Sequence, residues 1–78
     1  MAIFITKFQF YLRQKSIPYS DITRHLGCDR SSINRWKKGE QFPNKLTADR
    51  IIDLYGQYSI PMDYNSIYEP TIEIRDKQ

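Results

Sequence analysis

Five polar residues recur at helical spacing near the middle of this 78-residue chain. At about 100° per residue they share one sector of a helix, roughly 140° wide: Arg30, Ser31, Asn34, Arg35 and Lys38. Ile33 and Trp36 fall on the opposite side, where an amphipathic helix meets its core. Arginine pairs bidentately with guanine, asparagine with adenine, and serine with either, so these side chains suit the edges of bases in the DNA major groove. An ordinary solvent-exposed helix has the same periodicity, and spacing alone leaves both interpretations open.

Residue types that support metal binding or catalysis are sparse. His25 and Cys28 are the single histidine and the single cysteine, whereas a structural zinc site takes four ligands. The three glycines are far apart and the acidic residues are scattered, so neither a phosphate-cradling loop nor a catalytic cluster is visible. We therefore expect no enzyme, no metal and no cofactor, with Cys28 as a buried, inert thiol. A lone cysteine also excludes an internal disulfide, which favours a reducing, cytoplasmic setting.

Charge is unevenly distributed along the chain. Residues 1–50 carry ten basic and four acidic residues, whereas residues 51–78 carry two basic and five acidic ones. The basic front favours an anionic partner. Four tyrosines lie in the acidic end, and we interpret them as a packing or dimer surface rather than a platform for stacked bases: Tyr55, Tyr58, Tyr64 and Tyr68. The longest apolar run, at residues 1–5, is far shorter than a membrane-spanning helix.

The elements that must position these residues follow from hydrophobic spacing, caps and breakers. The length allows one domain, and the patterns predict helices at 6–15, 18–26 (with Pro18 as its first residue), 30–38 and from 44 or 47 to 55, then a helical turn ending at 68. Residues 1–5 fit a strand or the lead-in to a helix. Alternation at Thr71–Arg75 predicts a strand that pairs either with its mate in a second subunit or with Ile3–Ile5.

The segment around the third helix has a distinctive order of residue types. It reads ITRHLGCDRSSINRWKKG over residues 22–39, with a proline at 43. This order resembles the Cro/repressor-type (XRE-like) helix-turn-helix family, and the likeness extends over residues 18–56. By that resemblance Gly27 makes the tight turn, Cys28 and Ile33 hold the two helices together, Asp29 caps the third helix, and Trp36 fills a bulky apolar position.

The helix after the proline also fits the family, with Leu46, Ile51 and Leu54 in the places of core residues. Two residues depart from the usual pattern. Thr23 stands where the family usually has alanine, because two helices approach closely there. His25 stands where an apolar residue is common, and we expect its imidazole at the edge of the core.

The resemblance implies a compact, mainly α, lambda-repressor-like domain of four to five helices over residues 1–69. The helix-turn-helix would lie at about 18–38, and residues 70–78 would be a tail or strand and a candidate dimerisation arm. Base contacts would come from Asp29, Arg30, Ser31, Asn34 and Arg35. Phosphate contacts would come from Tyr19, Ser20, Lys37, Lys38 and Gln41.

Relatives of this type act as homodimers on palindromic double-stranded DNA, with their third helices in the major groove. The resemblance therefore implies a sequence-specific regulator, of the kind of a phage or mobile-element repressor. The alternative is a protein-interaction module, such as an antitoxin or phage accessory factor, in which the acidic aromatic end docks on another protein.

Overall fold

The computed structural model describes residues 2–75, and within that range the chain forms five helices and one two-stranded sheet. In chain order the elements are β1 (Ala2–Thr6), α1 (Lys7–Gln14), α2 (Tyr19–Leu26), α3 (Arg30–Lys38), α4 (Lys45–Gln57), α5 (Tyr64–Tyr68) and β2 (Pro70–Arg75). The expected mainly α class with a short C-terminal strand is confirmed. The ends of two predicted segments, residue 1 and residues 76–78, lie outside the described residues.

Side-chain caps mark the start of four of the five described helices, all except α2. At α3 the carboxylate of Asp29 accepts a hydrogen bond from the Ser32 amide at 3.0 Å, as the sequence predicted. At α1 the sequence analysis missed a reciprocal cap, in which Thr6 Oγ1 accepts from the Gln9 amide and Gln9 Oε1 accepts from the Thr6 amide, both at 3.0 Å. Because both partners of this cap are buried, the start of α1 is fixed within the fold.

Left-handed glycines end the two helices that flank the central turn. Gly27 follows α2 at φ 68° and Gly39 follows α3 at φ 79°. A Cβ at Gly27 would meet nothing within 4 Å, so the backbone angle alone favours glycine there. At Gly39 a Cβ would also approach Gln9 Nε2 to 3.3 Å. The abrupt end at Gly27 keeps the turn between α2 and α3 short, and the one at Gly39 ends α3 after Lys38.

One apolar core joins the five helices. Its buried members are Phe8, Leu12, Ile17, Ile22, Leu26, Ile33, Trp36, Ala48, Ile51, Leu54, Tyr55 and Ile67. The Phe8 ring is central, with its centroid 5.9 Å from that of Trp36 and 6.0 Å from that of Tyr55. α1 packs on α3 more extensively than α2 does, and α2 packs mainly on α4. The position of α3 therefore depends strongly on α1.

The two strands bring the ends of the chain together. β1 and β2 are antiparallel, with Ile3 opposite Ile74 and Ile5 opposite Ile72. Of the two partners expected for the C-terminal strand, the structure shows the one within the chain. Ile5 is buried against the helices, whereas Ile3 is 44% exposed. Only the base of this two-stranded ribbon therefore belongs to the core.

Several details of the core differ from the expectations. Of the three core residues expected on α4, Ile51 and Leu54 are buried but Leu46 is 64% exposed, because the buried side of α4 begins at Ala48. Cys28, expected to be buried, is half-buried and packs against the edge of the core. Pro18 is the cap residue before α2 rather than its first helical residue.

Candidate functional site

α3 turns one side to the core and the other outward. Ile33 is fully buried and Trp36 is 6% exposed. α1 fixes this orientation, because the Phe8 ring packs against the indole and Gln9 Nε2 donates to the Trp36 carbonyl at 3.1 Å. The polar side of α3 consequently faces away from the core, as its spacing predicted.

Four of the residues predicted to contact bases belong to α3, and the fifth, Asp29, is the cap residue at its start. Four of the five are exposed, and one is half-buried: Asp29, Arg30, Ser31 and Arg35 are exposed, and Asn34 is partly covered. α3 itself contains four cations and no acid. Within residues 2–75, Arg24 pairs with Asp21 and His25 lies near the Asp53 carboxylate, and neither contact involves α3. The outward side therefore keeps a concentrated positive charge.

An open depression lies where this side of α3 meets the start of α2. Its lining includes Arg30, Asn34 and Lys37 from α3 and Tyr19 from α2, together with Lys15 from the turn after α1. The Tyr19 ring centroid is 5.6 Å from Arg30 Cζ and 6.0 Å from Lys15 Nζ. The fold thus gathers three cations in this depression, two of them beside the aromatic ring.

Lys15 is the member of this group that the sequence analysis missed. It adopts a left-handed backbone conformation at the end of α1, with φ 54°. That turn directs the Lys15 ammonium group toward the Tyr19 ring. Tyr19 is itself held close to the core by Ile22, a buried residue one turn further along α2. A basic residue just before the Ile17–Pro18 break was the available signal, but only the turn's shape gives its direction.

The hydroxyl of Tyr19 is already engaged inside the protein. It donates a hydrogen bond to the Leu12 carbonyl at 2.9 Å, and the ring is half-buried. Burial raises the pKa of this hydroxyl, and the nearby Arg30 charge opposes that shift. Tyr19 therefore presents its ring, rather than a free hydroxyl, to the depression. Its predicted phosphate contact stays a prediction.

The remaining predicted phosphate-contacting residues lie at the two ends of the same surface. Ser20 is exposed in the first turn of α2, and Lys38 and Gln41 are exposed at and beyond the end of α3. Lys37 is half-buried in the depression rather than fully outward. The loop after α3 also exposes Phe42, whose ring makes an edge contact with that of Tyr68.

The Asp29 carboxylate serves first as the cap of α3. One of its oxygens accepts from both the amide and the hydroxyl of Ser32, at 3.0 and 3.1 Å. Those hydrogen bonds, backbone first and side chain second, lower the pKa of Asp29 below its ordinary value. The group is therefore an anion at neutral pH, and its second oxygen remains the one that suits a base amino group.

The two soft side chains near the turn have different surroundings. Burial, followed by the nearby Asp29 charge, raises the pKa of the Cys28 thiol, which favours the less nucleophilic protonated form. His25 lies 3.4 Å from the Asp53 carboxylate across the α2–α4 contact. Over residues 2–75 no group of three or more histidine, cysteine or acidic side chains is placed to hold a metal ion. Nor does that range contain a helix with the length and apolar character needed to cross a bilayer.

Comparison of the chain with protein-family models, curated proteins and solved structures finds no match.

Proposed function

We propose that this protein is a sequence-specific double-stranded DNA-binding regulator of the helix-turn-helix type. The observation that carries the proposal is the division of α3: the indole of Trp36 lies in the core, while the guanidinium groups of Arg30 and Arg35 face outward without an ion-pair partner in the described chain. A helix with this division fits the major groove, where arginine and asparagine read base edges. The short turn at Gly27 between α2 and α3 and the single apolar core around α3 support the proposal.

Two sets of contacts have separate tasks in this proposal. Residues on the outward side of α3 contact base edges and supply sequence preference. Cations and polar groups around it contact phosphates and fix the register of the protein on the duplex. Lys15 joins the phosphate set, because its ammonium group flanks the same depression as Lys37.

A second copy completes the recognition unit. One helix reads few base pairs, and a two-fold dimer doubles the site by placing half-sites about 34 Å apart on the palindrome. The dimer would repress by occupying an operator that overlaps a promoter, as a phage or mobile-element repressor does. Since β2 already pairs with β1, a dimerisation arm at 70–75 would use the other edge of that strand.

The direct experiment is selection of bound sequences from a random duplex pool, followed by fluorescence anisotropy on the selected duplex at several salt concentrations. We expect a palindromic sequence and, if five to seven phosphates are contacted by the dimer, a log–log salt slope of roughly −4 to −6. Arg50→Ala is a matched control, because it removes one exposed cation from α4 rather than from α3. Binding that is absent at low salt, or that shows no sequence preference, would refute the proposal.

A second candidate is a protein-interaction module of the antitoxin or phage accessory type. The observation that favours it is a run of exposed apolar and aromatic side chains near the start of α4 and on α5: Phe42, Leu46, Tyr64 and Tyr68. Soluble monomers seldom expose such side chains as a group without a partner. A chain that binds no duplex at any salt concentration would favour this second function.

A further inference from the structure

The outward side of α3 has two edges that differ in their surroundings. Arg30 and Asn34 lie one turn apart on the edge that lines the depression beside Tyr19. Ser31 and Arg35 lie on the other edge, about 100° further round the helix. Within the described part of the chain, Arg30 has an aromatic ring beside its guanidinium group, and no such contact is recorded for Arg35.

Tyr19 is a rigid neighbour for Arg30. Its hydroxyl is tied to the Leu12 carbonyl at 2.9 Å, and its ring packs against the edge of the apolar core. It is also the first residue of α2, whose Ile22 and Leu26 are buried. The place of the ring is therefore fixed by its packing and by the backbone of α2, both of which a phenylalanine would keep.

A guanidinium group prefers to lie over the face of an aromatic ring, and this preference is retained at partly exposed sites. Arg30 Cζ is 5.6 Å from the Tyr19 centroid, within the range of that attraction. An arginine restrained in this way gives up fewer conformations when it binds a base than a fully free one does. The N–H donors of its guanidinium group also have a fixed direction before DNA binds.

We propose that Tyr19 is a positioning residue for Arg30: its ring sets the direction of the guanidinium group and thereby the base preference at one position of the half-site. This inference rests on the proposed DNA-binding function. It assigns the effect to the ring and not to the hydroxyl, and it separates Tyr19 from residues that only contact phosphates. Arg35 lies outside its influence.

The test uses two variants of Tyr19 in the full chain. Tyr19→Phe keeps the ring, and Tyr19→Leu keeps apolar bulk while removing the aromatic face. Thermal unfolding first identifies a temperature at which both variants are folded. Affinities are then measured for the selected duplex and for duplexes altered at single base pairs, with Arg30→Ala defining the base pair that Arg30 reads.

We expect Tyr19→Leu to reduce discrimination at the Arg30 base pair by about twofold to fivefold, the size of an exposed cation–π contact. Discrimination at the Arg35 base pair and the salt slope should stay unchanged, and Tyr19→Phe should retain wild-type preference. In an Arg30→Ala background, Tyr19→Leu should have no further effect on preference. Equal losses at every base pair with a shallower salt slope would instead make Tyr19 a phosphate contact and overturn the inference, as would a loss of preference in Tyr19→Phe.

A measurement without DNA separates this inference from the proposed function. In nuclear magnetic resonance spectra of the free protein, the Arg30 side-chain N–H signal should show a ring-current shift that persists in Tyr19→Phe and disappears in Tyr19→Leu. A signal that is the same in all three proteins would refute the positioning role even if the protein binds DNA. Failure of the wild type to bind any duplex would refute the proposed function and the role in base preference together, while a persistent shift would leave the ring contact itself established.

Discussion

The hydroxyl of Tyr55 provides a quantitative test of the packing that supports α3. Tyr55 is 1% exposed, and its hydroxyl is buried with no hydrogen-bond partner among the described residues. A buried polar group without a partner costs roughly 1–3 kcal/mol. Tyr55→Phe removes that group but keeps the ring, which packs against Phe8 and Tyr11. Because the variant also leaves a small void, we expect the free energy of unfolding to rise by about 1 kcal/mol, the low end of that range.

Urea and thermal unfolding followed by circular dichroism would measure this change. For a domain of this size, about 1 kcal/mol corresponds to roughly 4–8 °C in Tm. Tyr19→Phe is the matched control, since it removes a hydroxyl that does donate a hydrogen bond, to Leu12. We expect that variant to lose about 0.5–1.5 kcal/mol. The same chemical change should therefore have opposite signs at the two positions.

The pH dependence gives the Tyr55 prediction a second, independent measurement. Burial raises the pKa of Tyr55 far above its ordinary value of 10.0, while in the unfolded chain the group titrates near that value. Above pH 10 the unfolded chain therefore loses this proton while the folded chain keeps it. The free energy of unfolding is unaffected by this group below pH 10 and falls as the pH rises above it, at up to about 1.4 kcal/mol per pH unit. Phenylalanine does not titrate, so the advantage of Tyr55→Phe should grow above pH 10, and the other tyrosines cancel in the difference. This account of an unpartnered hydroxyl would be refuted if Tyr55→Phe were less stable than the wild type at pH 7 and if the difference between their free energies of unfolding did not change above pH 10.

Other substitutions test the support and chemistry of α3. Gln9→Ala should lower the free energy of unfolding by about 2 kcal/mol in urea titrations, because it removes the Gln9 half of the reciprocal cap at α1 and the hydrogen bond to the Trp36 carbonyl; an unchanged midpoint would contradict this. Asp29→Ala should lower Tm more than Asp29→Asn, which keeps an acceptor for the Ser32 amide. The difference in Tm between the wild type and either variant should shrink as the pH falls below about 4, since the pKa of Asp29 is lower in the folded chain than in the unfolded chain. Arg35→Ala should cost about 1–3 kcal/mol in binding to the selected duplex and relax preference at one base pair. Lys38→Ala should weaken binding to all duplexes alike and make the salt slope shallower; the reverse pattern for these two variants would exchange their roles.

Local signals in the sequence were sufficient to predict most elements around the candidate site. Asp29 begins α3 as its N-cap, and Gly39 ends it in a left-handed conformation. Both act on backbone groups only a few residues away. The opposition of Trp36 to the polar side follows from helical periodicity alone. Alternation at Thr71–Arg75 likewise predicted a strand, although it left the partner open between two choices that are equivalent in local sequence.

Contacts between distant segments were beyond such signals. Gln9 lies on the apolar side of α1, and nothing in the nearby sequence indicates a partner for its side-chain amide. The partner is the Trp36 carbonyl, 27 residues away in sequence and 3.1 Å away in the fold. The convergence of Lys15 with Arg30 depends on the left-handed turn after α1 and on the packing of α1 against α3. The exposure of Leu46 has the same origin, because the side of α4 that is buried depends on where α1 and α2 lie.

These distant contacts give α1 a role at both ends of the candidate interface. At the far end of α3, Gln9 holds the Trp36 carbonyl; at its start, Tyr19 is tied to the α1 residue Leu12 and lies beside Arg30. The short turn at Gly27 fixes the distance between α2 and α3, but α1 contacts both helices and so fixes their relative rotation. A change in that rotation would move base-contacting and phosphate-contacting groups out of register together. Substitutions in the α1 contacts should therefore weaken binding to every duplex while leaving the ranking of sequences unchanged, whereas loss of the Tyr19 ring should alter the ranking at one base pair.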